Sequence, residues 1–148
     1  MTTMIGNWQG KNFLWLYPGD PVHESVSTAD VRMTGNGQFT EIAYTWAYDG
    51  DPQEGRLFVG QTAEDGAVRA VWFDSWHLRD SFMVFKGTGD TAGAVSLDGS
   101  YPAPDGPDWG WQIAIEPLQN DTFTLRMYNI PPGEEKVLAV EVEYSRRS

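Results

Sequence analysis

Hydrophobic and polar residues alternate along almost the whole chain, in short runs separated by turn residues. A period of two is typical of half-buried β-strands, because successive side chains point to opposite faces of a sheet. Asn-Gly and Asp-Gly pairs between the runs favour tight hairpins. The pattern predicts ten strands: Gly6–Tyr17, Val22–Met33, Gln38–Tyr48, Arg56–Thr62, Ala70–His77, Ser81–Lys86, Ala92–Leu97, Trp109–Ile115, Thr122–Ile130 and Val137–Tyr144.

Short connections between these strands predict an antiparallel meander. About ten twisted strands close into a barrel or split into two sheets rather than remain one open sheet. We therefore predict an all-β protein, a single antiparallel up-and-down β-barrel of about ten strands, with residues 1–148 forming one domain.

The stretch from Ala70 to His77 concentrates the chemistry of the chain. It holds two of the seven tryptophans and one of the two histidines. As a strand it presents Trp72, Asp74 and Trp76 on one face and the residues between them on the other. Either face can line the interior. We favour the first, because two neighbouring tryptophans facing water would cost a monomer more.

Strand alternation argues against a catalytic triad in this stretch. Asp74 is predicted to point away from Ser75 and His77, whereas a triad needs a histidine that bridges nucleophile and carboxylate. The chain also lacks a Gly-x-Ser-x-Gly nucleophile elbow. Asp74 and His77 therefore remain separate candidates for acid–base chemistry.

The charge of the chain excludes some partners. It carries 21 acidic and 10 basic residues, a formal net charge of −11. Nucleic-acid binding needs a basic surface, and anionic membranes attract one, so neither partner is expected.

The absence of cysteine excludes disulfides and thiolate zinc sites. No signal peptide is evident at the first residues, so we expect a cytoplasmic protein.

Gly6, Trp8 and Gly10 form a Gly-x-Trp-x-Gly motif at the start of the first strand. With the meander that follows, this resembles the calycin superfamily of lipocalins, fatty-acid-binding proteins and nitrobindin-like haem barrels, and most of all uncharacterised bacterial calycin-like proteins. The resemblance implies that Trp8 packs across one end of the barrel. Nitrobindin-like barrels ligate haem through a late histidine, and none follows His77 here, so haem is disfavoured and no cofactor or metal is predicted.

The expected function is binding of a small apolar or aromatic ligand inside the barrel. The predicted lining consists of Tyr44, Trp46, Gln61, Trp72, Asp74 and Trp111, with His77 at the mouth. One alternative is a barrel isomerase or lyase that uses Asp74 or His77 as acid or base. Another is a structural protein whose barrel is plugged by its own side chains and which forms a homodimer.

Overall fold

The computed structural model describes residues 1–119 and 121–148. A 3₁₀ turn, Thr2–Met4, precedes the first strand. The strands follow in chain order: β1 Gly6–Leu14, β2 His23–Thr34, β3 Phe39–Tyr48, β4 Asp51–Gly60, β5 Ala67–Asp74, β6 Met83–Gly89, β7 Val95–Tyr101, β8 Trp109–Leu118, β9 Thr122–Ile130 and β10 Val137–Arg146.

The strands form one closed barrel, as the sequence pattern predicts. Each strand pairs antiparallel with its neighbour in the chain, and β1 pairs with β10 to close the sheet. The closing register places Trp8 opposite Arg146 and Leu14 opposite Val140. All ten predicted strands are present, although their bounds shift. The predicted turn before β9 includes Asn120, which lies outside the described residues.

The largest single shift in strand bounds is at the start of β4, and the shift at the end of β5 bears on the site. Strand β4 starts at Asp51, earlier than predicted, because Asp49 and Gly50 form the hairpin turn with positive φ values of 47° and 88°. Strand β5 runs from Ala67 to Asp74 and therefore ends three residues before the predicted end at His77.

The favoured register of β5 is confirmed. Trp72 and Asp74 are each 1% exposed, whereas Val71 and Phe73 on the other face are 36% and 37% exposed. Inward side chains of the other strands fill most of the barrel, with Leu57, Phe85, Ile113 and several others fully buried.

Trp8 closes one end of the barrel. Its ring is 2% exposed, meets the edge of Phe123 at 4.8 Å, and donates through Nε1 to the carbonyl oxygen of Met4 at 2.8 Å. The Arg146 guanidinium covers the ring from outside, with its Cζ 4.3 Å from the ring centroid. We call this end the closed end and the opposite end, at the end of β5, the mouth.

Replacing this closing tryptophan tests its role. Trp8→Ala should lower the free energy of unfolding by about 3–5 kcal/mol, since a large buried ring leaves a cavity and an unpaired carbonyl. Urea titration followed by far-UV circular dichroism measures the change. Trp15→Ala is the matched control, because Trp15 is only half-buried and stacks on Phe13 at 6.2 Å. Equal losses in the two variants would contradict the assigned role.

Candidate functional site

The end of β5 is set by the side chain of Asp74. Its Oδ1 accepts hydrogen bonds from the backbone N–H groups of Trp76 and His77, both at 2.9 Å. An aspartate that caps N–H groups two and three residues ahead starts a turn. The Asp74 carbonyl then accepts from the N–H groups of Leu78 and Arg79 at 3.0 and 3.1 Å. The chain therefore folds back over the mouth instead of continuing as a strand.

This turn overturns the expectation that Asp74 and His77 point apart. His77 Nδ1 lies 3.0 Å from Asp74 Oδ1, and the His77 side chain is 12% exposed. The prediction was wrong because strand alternation applies only as far as Asp74. The imidazole also lies among four indole rings, with centroid distances of 4.8 to 5.7 Å to Trp46, Trp72, Trp76 and Trp111.

The second carboxylate oxygen of Asp74 accepts hydrogen bonds from two side chains of β3. Oδ2 accepts from the Tyr44 hydroxyl at 2.8 Å and from Trp46 Nε1 at 3.0 Å. Tyr44 Oη in turn accepts from Trp72 Nε1 at 2.8 Å. The buried carboxylate thus receives hydrogen bonds on both oxygens, which is the condition for burying a charge.

These hydrogen bonds fix the protonation of Asp74. Burial by itself raises the pKa of Asp74, but the hydrogen bond and charge of His77 and the Tyr44 hydroxyl outweigh it and hold the pKa below its ordinary value. Burial and the negative charge of Asp74 raise the pKa of Tyr44 well above its ordinary value. At neutral pH the pair is therefore a carboxylate and a neutral phenol, and His77 Nδ1 carries the proton that faces Asp74.

Gly55 makes this arrangement possible. It lies between Tyr44 of β3 and Asp74 of β5 in the sheet register. A Cβ atom at this position would overlap the hydroxyl and Cζ of Tyr44. The missing side chain allows the Tyr44 ring to cross β4 and reach the carboxylate.

A pocket of about 670 Å³ opens at the mouth, beside this cluster. Its lining is mainly aromatic and apolar, with a few polar groups at the edge. The lining residues are Gln53, Trp72, Ser75, Trp76, His77, Leu78, Arg79, Met83, Tyr101 and Trp111. Trp72 and Trp111 are parallel to within 6°, with centroids 5.8 Å apart.

The pocket lies where two strands diverge. Strands β6 and β7 pair only from Lys86–Asp98 to Gly89–Val95. Towards the mouth, Met83 of β6 and Tyr101 of β7 lie on the pocket wall instead of pairing with each other. The Tyr101 hydroxyl is fixed by donating to Asn129 Oδ1 at 2.6 Å.

Two ring nitrogens on the pocket residues have no hydrogen-bond partner in the described part of the chain. They are His77 Nε2 and Trp111 Nε1, and both atoms are buried. A buried polar atom without a partner costs about 1–3 kcal/mol, so most in native structures are paired with protein, water or ligand.

The predicted lining residues lie in three places, the mouth pocket, the interior below it and, for Gln61, the closed end. Trp72, His77 and Trp111 line the mouth pocket. Tyr44, Trp46 and Asp74 lie deeper, beside a cavity of only about 10 Å³ that His77 also borders. The His77 ring therefore separates the mouth pocket from the packed interior.

Gln61 lies at the closed end, away from the mouth. Strand β4 ends at Gly60, so the alternation that placed Gln61 inside does not reach it. Its side chain is exposed and donates from Nε2 to the Gly37 carbonyl at 3.1 Å.

Sequence reasoning missed several residues of the pocket. Leu78, Arg79, Met83 and Tyr101 line it but are not among the predicted lining residues. The alternation of β6 does signal Met83, which is 5% exposed. The gap that places Met83 near Tyr101 depends on strand pairing and has no local signal.

Within residues 1–119 and 121–148, no group of three or more His, Cys, Asp or Glu side chains could hold a metal ion. None of the helices described is long and apolar enough to cross a membrane.

Comparison with known proteins supports the fold. The model of a family described as "Protein of unknown function (DUF1579)" matches residues 1–146. No curated protein matches the chain. Among solved structures, the crystal structure of Rv2717c from M. tuberculosis has a TM-score of 0.68 at 15% identity, and the match covers 99% of this chain and 94% of that one. At this identity the likeness extends to the barrel fold alone.

The Tyr44 hydroxyl can be tested by its removal. Tyr44→Phe leaves the buried Trp72 N–H without an acceptor and takes one donor from Asp74, so the free energy of unfolding should fall by about 1–3 kcal/mol. Urea titration measures this loss. Tyr17→Phe is the control, because Tyr17 is 71% exposed. Wild-type stability in Tyr44→Phe would show that the hydroxyl contributes nothing.

The lowered pKa of Asp74 predicts an acid-dependent stability. A carboxylate whose pKa is lower in the folded state stabilises the fold fully above its unfolded pKa of about 4, and this contribution is lost as pH falls through the folded value. The difference in unfolding free energy between wild type and Asp74→Asn should therefore shrink below about pH 4. Urea titrations between pH 3 and pH 7 measure it, with the exposed Asp105→Asn as control. A difference that is constant with pH would contradict the assignment.

Proposed function

The chain belongs to the DUF1579 family, whose function is unknown, and we therefore propose a function from the site itself: the protein binds a small, planar, largely aromatic molecule in the mouth pocket. The observation that carries this proposal is an aromatic pocket on whose residues two buried ring nitrogens, His77 Nε2 and Trp111 Nε1, have no partner among the described residues.

The size and walls of the pocket favour such a ligand. A volume of about 670 Å³ lies within the usual range for small-molecule sites. Indole rings of Trp76 and Trp111 provide apolar area and offset stacking for a flat ring, and the buried Trp72 supports them from below. The interior below His77 offers only about 10 Å³, which is room for at most about one water and supports binding at the mouth rather than at the barrel centre.

The unpartnered nitrogens are buried, so a ligand in the mouth pocket reaches them only where the side chains that cover them move aside, and they would then select its polar groups. Trp111 Nε1 can only donate, so it fits a carbonyl or ring-nitrogen acceptor. His77 Nδ1 faces the Asp74 carboxylate as the donor, so whenever the ring is neutral its Nε2 is an acceptor for a ligand N–H or O–H. A cyclic amide or a hydroxylated aromatic carbonyl compound provides both groups.

The Asp74–His77 pair keeps acid–base catalysis as a second candidate. A carboxylate that orients an imidazole is a known arrangement for a general base. Proton abstraction also needs a group that stabilises the negative charge left on the substrate. Arg79 is a cation on the pocket wall, but it is exposed, and water screens its charge there. We therefore rank binding ahead of catalysis.

Titration with 2-quinolinone tests the proposal, because this flat bicycle has an N–H beside a C=O. Naphthalene, of similar shape without polar groups, is the matched probe. Calorimetry should show saturable binding of 2-quinolinone, and an indole N–H resonance that disappears in Trp111→Phe should shift during the titration. Trp111→Phe should weaken 2-quinolinone binding about tenfold and naphthalene binding less, since both probes lose part of an indole wall but only 2-quinolinone also loses a hydrogen-bond donor.

Trp109→Phe is the control variant, because Trp109 lies on the same strand but does not line the pocket. It should bind both probes as wild type does. Trp76→Ala should weaken both probes, since it removes an aromatic wall. The proposal would be overturned if neither probe bound saturably. It would also be overturned if binding were unchanged in both Trp111→Phe and Trp76→Ala.

A further inference from the structure

The outer surface of β4, β5 and β6 is unusually apolar. Phe58, Val71 and Val84 lie directly opposite one another in neighbouring strands. Phe73 and Phe82 extend this row towards the mouth, and the rings of Phe58 and Phe73 are 6.5 Å apart. We call these five residues the apolar outer face.

This face is exposed in the single chain. Phe82 and Val84 are 65% and 59% exposed, and Val71 and Phe73 are 36% and 37% exposed. Isolated apolar side chains are normal on protein surfaces, but a contiguous group on three paired strands marks an interaction site. The inward side chains of the same strands already fill the barrel, so folding alone does not explain this face.

Charged residues of opposite sign flank the apolar outer face. At the closed end, Arg69 and Lys86 lie opposite each other, two residues beyond Val71 and Val84. At the mouth end, Glu54 lies on the outer side of β4, and Asp80 lies in the turn before Phe82.

Two further cations near the face, Arg56 and Arg79, are engaged elsewhere, whereas Arg69 and Lys86 make no ion pair within 4.0 Å with any described residue. The Arg56 guanidinium is paired with the buried Glu41 at 2.7 Å. Arg79 lines the mouth pocket. Lys86 lies opposite Asp98 of β7, and Asp98 accepts a hydrogen bond from Gln112. Arg69 makes no ion pair with any described residue within 4.0 Å and is exposed.

We propose that the chain forms a two-fold symmetric homodimer in which the apolar outer face packs antiparallel against its copy. A two-fold axis at the level of Trp72, midway along the strand between Arg69 and the Ser75 level of Glu54, places the cationic end, Arg69 and Lys86, against the acidic end of the other copy, Glu54 and Asp80. The apolar residues then cover each other. Two copies with a net charge of −11 each repel one another overall, and matching cations to carboxylates reduces this repulsion at the contact.

Charge complementarity favours a second copy over the other occupants of such a face. An anionic membrane would be repelled by the carboxylates of Glu54 and Asp80 and by the net negative charge of the chain. A purely acidic partner would match Arg69 and Lys86 but not the carboxylates at the mouth end. The proposal is independent of ligand binding in the mouth pocket.

Sedimentation velocity over a wide concentration range tests the dimer. Wild type should show a monomer–dimer equilibrium. Val84→Glu places charges near the two-fold axis and should raise the dimer Kd by more than about tenfold. Val26→Glu is the matched control, because Val26 is 78% exposed on β2, and should leave the Kd unchanged. Circular dichroism checks that both variants are folded.

A charge swap tests the two-fold arrangement itself. Arg69→Glu and Glu54→Arg should each raise the dimer Kd about fivefold, because each ion pair occurs twice across the axis. The double variant should return close to wild type. The rescue cannot come from within one chain, because Glu54 lies beside Ser75, six residues or about 20 Å along β5 from Arg69.

A wild type that stays monomeric at all concentrations would overturn the proposal, including when it binds anionic vesicles or an acidic protein instead. A dimer that survives Val84→Glu and is lost in Val26→Glu would place the interface on another face and would also overturn it. Loss of the dimer in Val84→Glu without rescue in the double charge variant would overturn the antiparallel two-fold arrangement.

Discussion

A single buried carboxylate holds the mouth of this barrel in its observed form. Asp74 is 1% exposed, and a charge in that position destabilises a fold unless it is fully hydrogen-bonded. Its donors come from β3 and from the turn after β5, with Gly55 of β4 leaving the space between them. The registers of β3, β4 and β5 must therefore all be correct before the charge is satisfied. Asp74 thus specifies strand register as well as local structure.

The same carboxylate divides the barrel into two parts with different properties. Below it, aromatic and aliphatic side chains fill the interior down to Trp8 and leave almost no free volume. Above it, the turn that Asp74 starts brings His77 over the core, and the divergence of β6 and β7 leaves the mouth pocket open. One part contributes stability through packing, and the other contributes a rigid aromatic surface to which a ligand can bind without reorganising the core.

The fold could be predicted from the sequence because alternation is local and repeated in every strand. The errors at His77 and Gln61 have one cause: in both cases alternation was extended beyond the real end of a strand. The end of β5 depends on where the Asp74 oxygens find donors, including two from the turn that they stabilise. The contacts of Asp74 with Tyr44 and Trp46, and the gap beside Met83, depend on pairing between strands, which periodicity does not record.

The pairing of β1 with β10 has a consequence for how the protein is made. Trp8 of β1 lies opposite Arg146 of β10, so neither strand has both of its neighbours until β10 has been synthesised and has paired. During synthesis on the ribosome, β1 keeps an open edge while all the intervening strands emerge, and such edges are templates for wrong pairing. Closure over this sequence distance also has a high entropic cost, which slows folding. The hairpin of β1 and β2 therefore keeps an unpaired edge on β1 longer than it would in a protein whose sequential strands pair only with their neighbours.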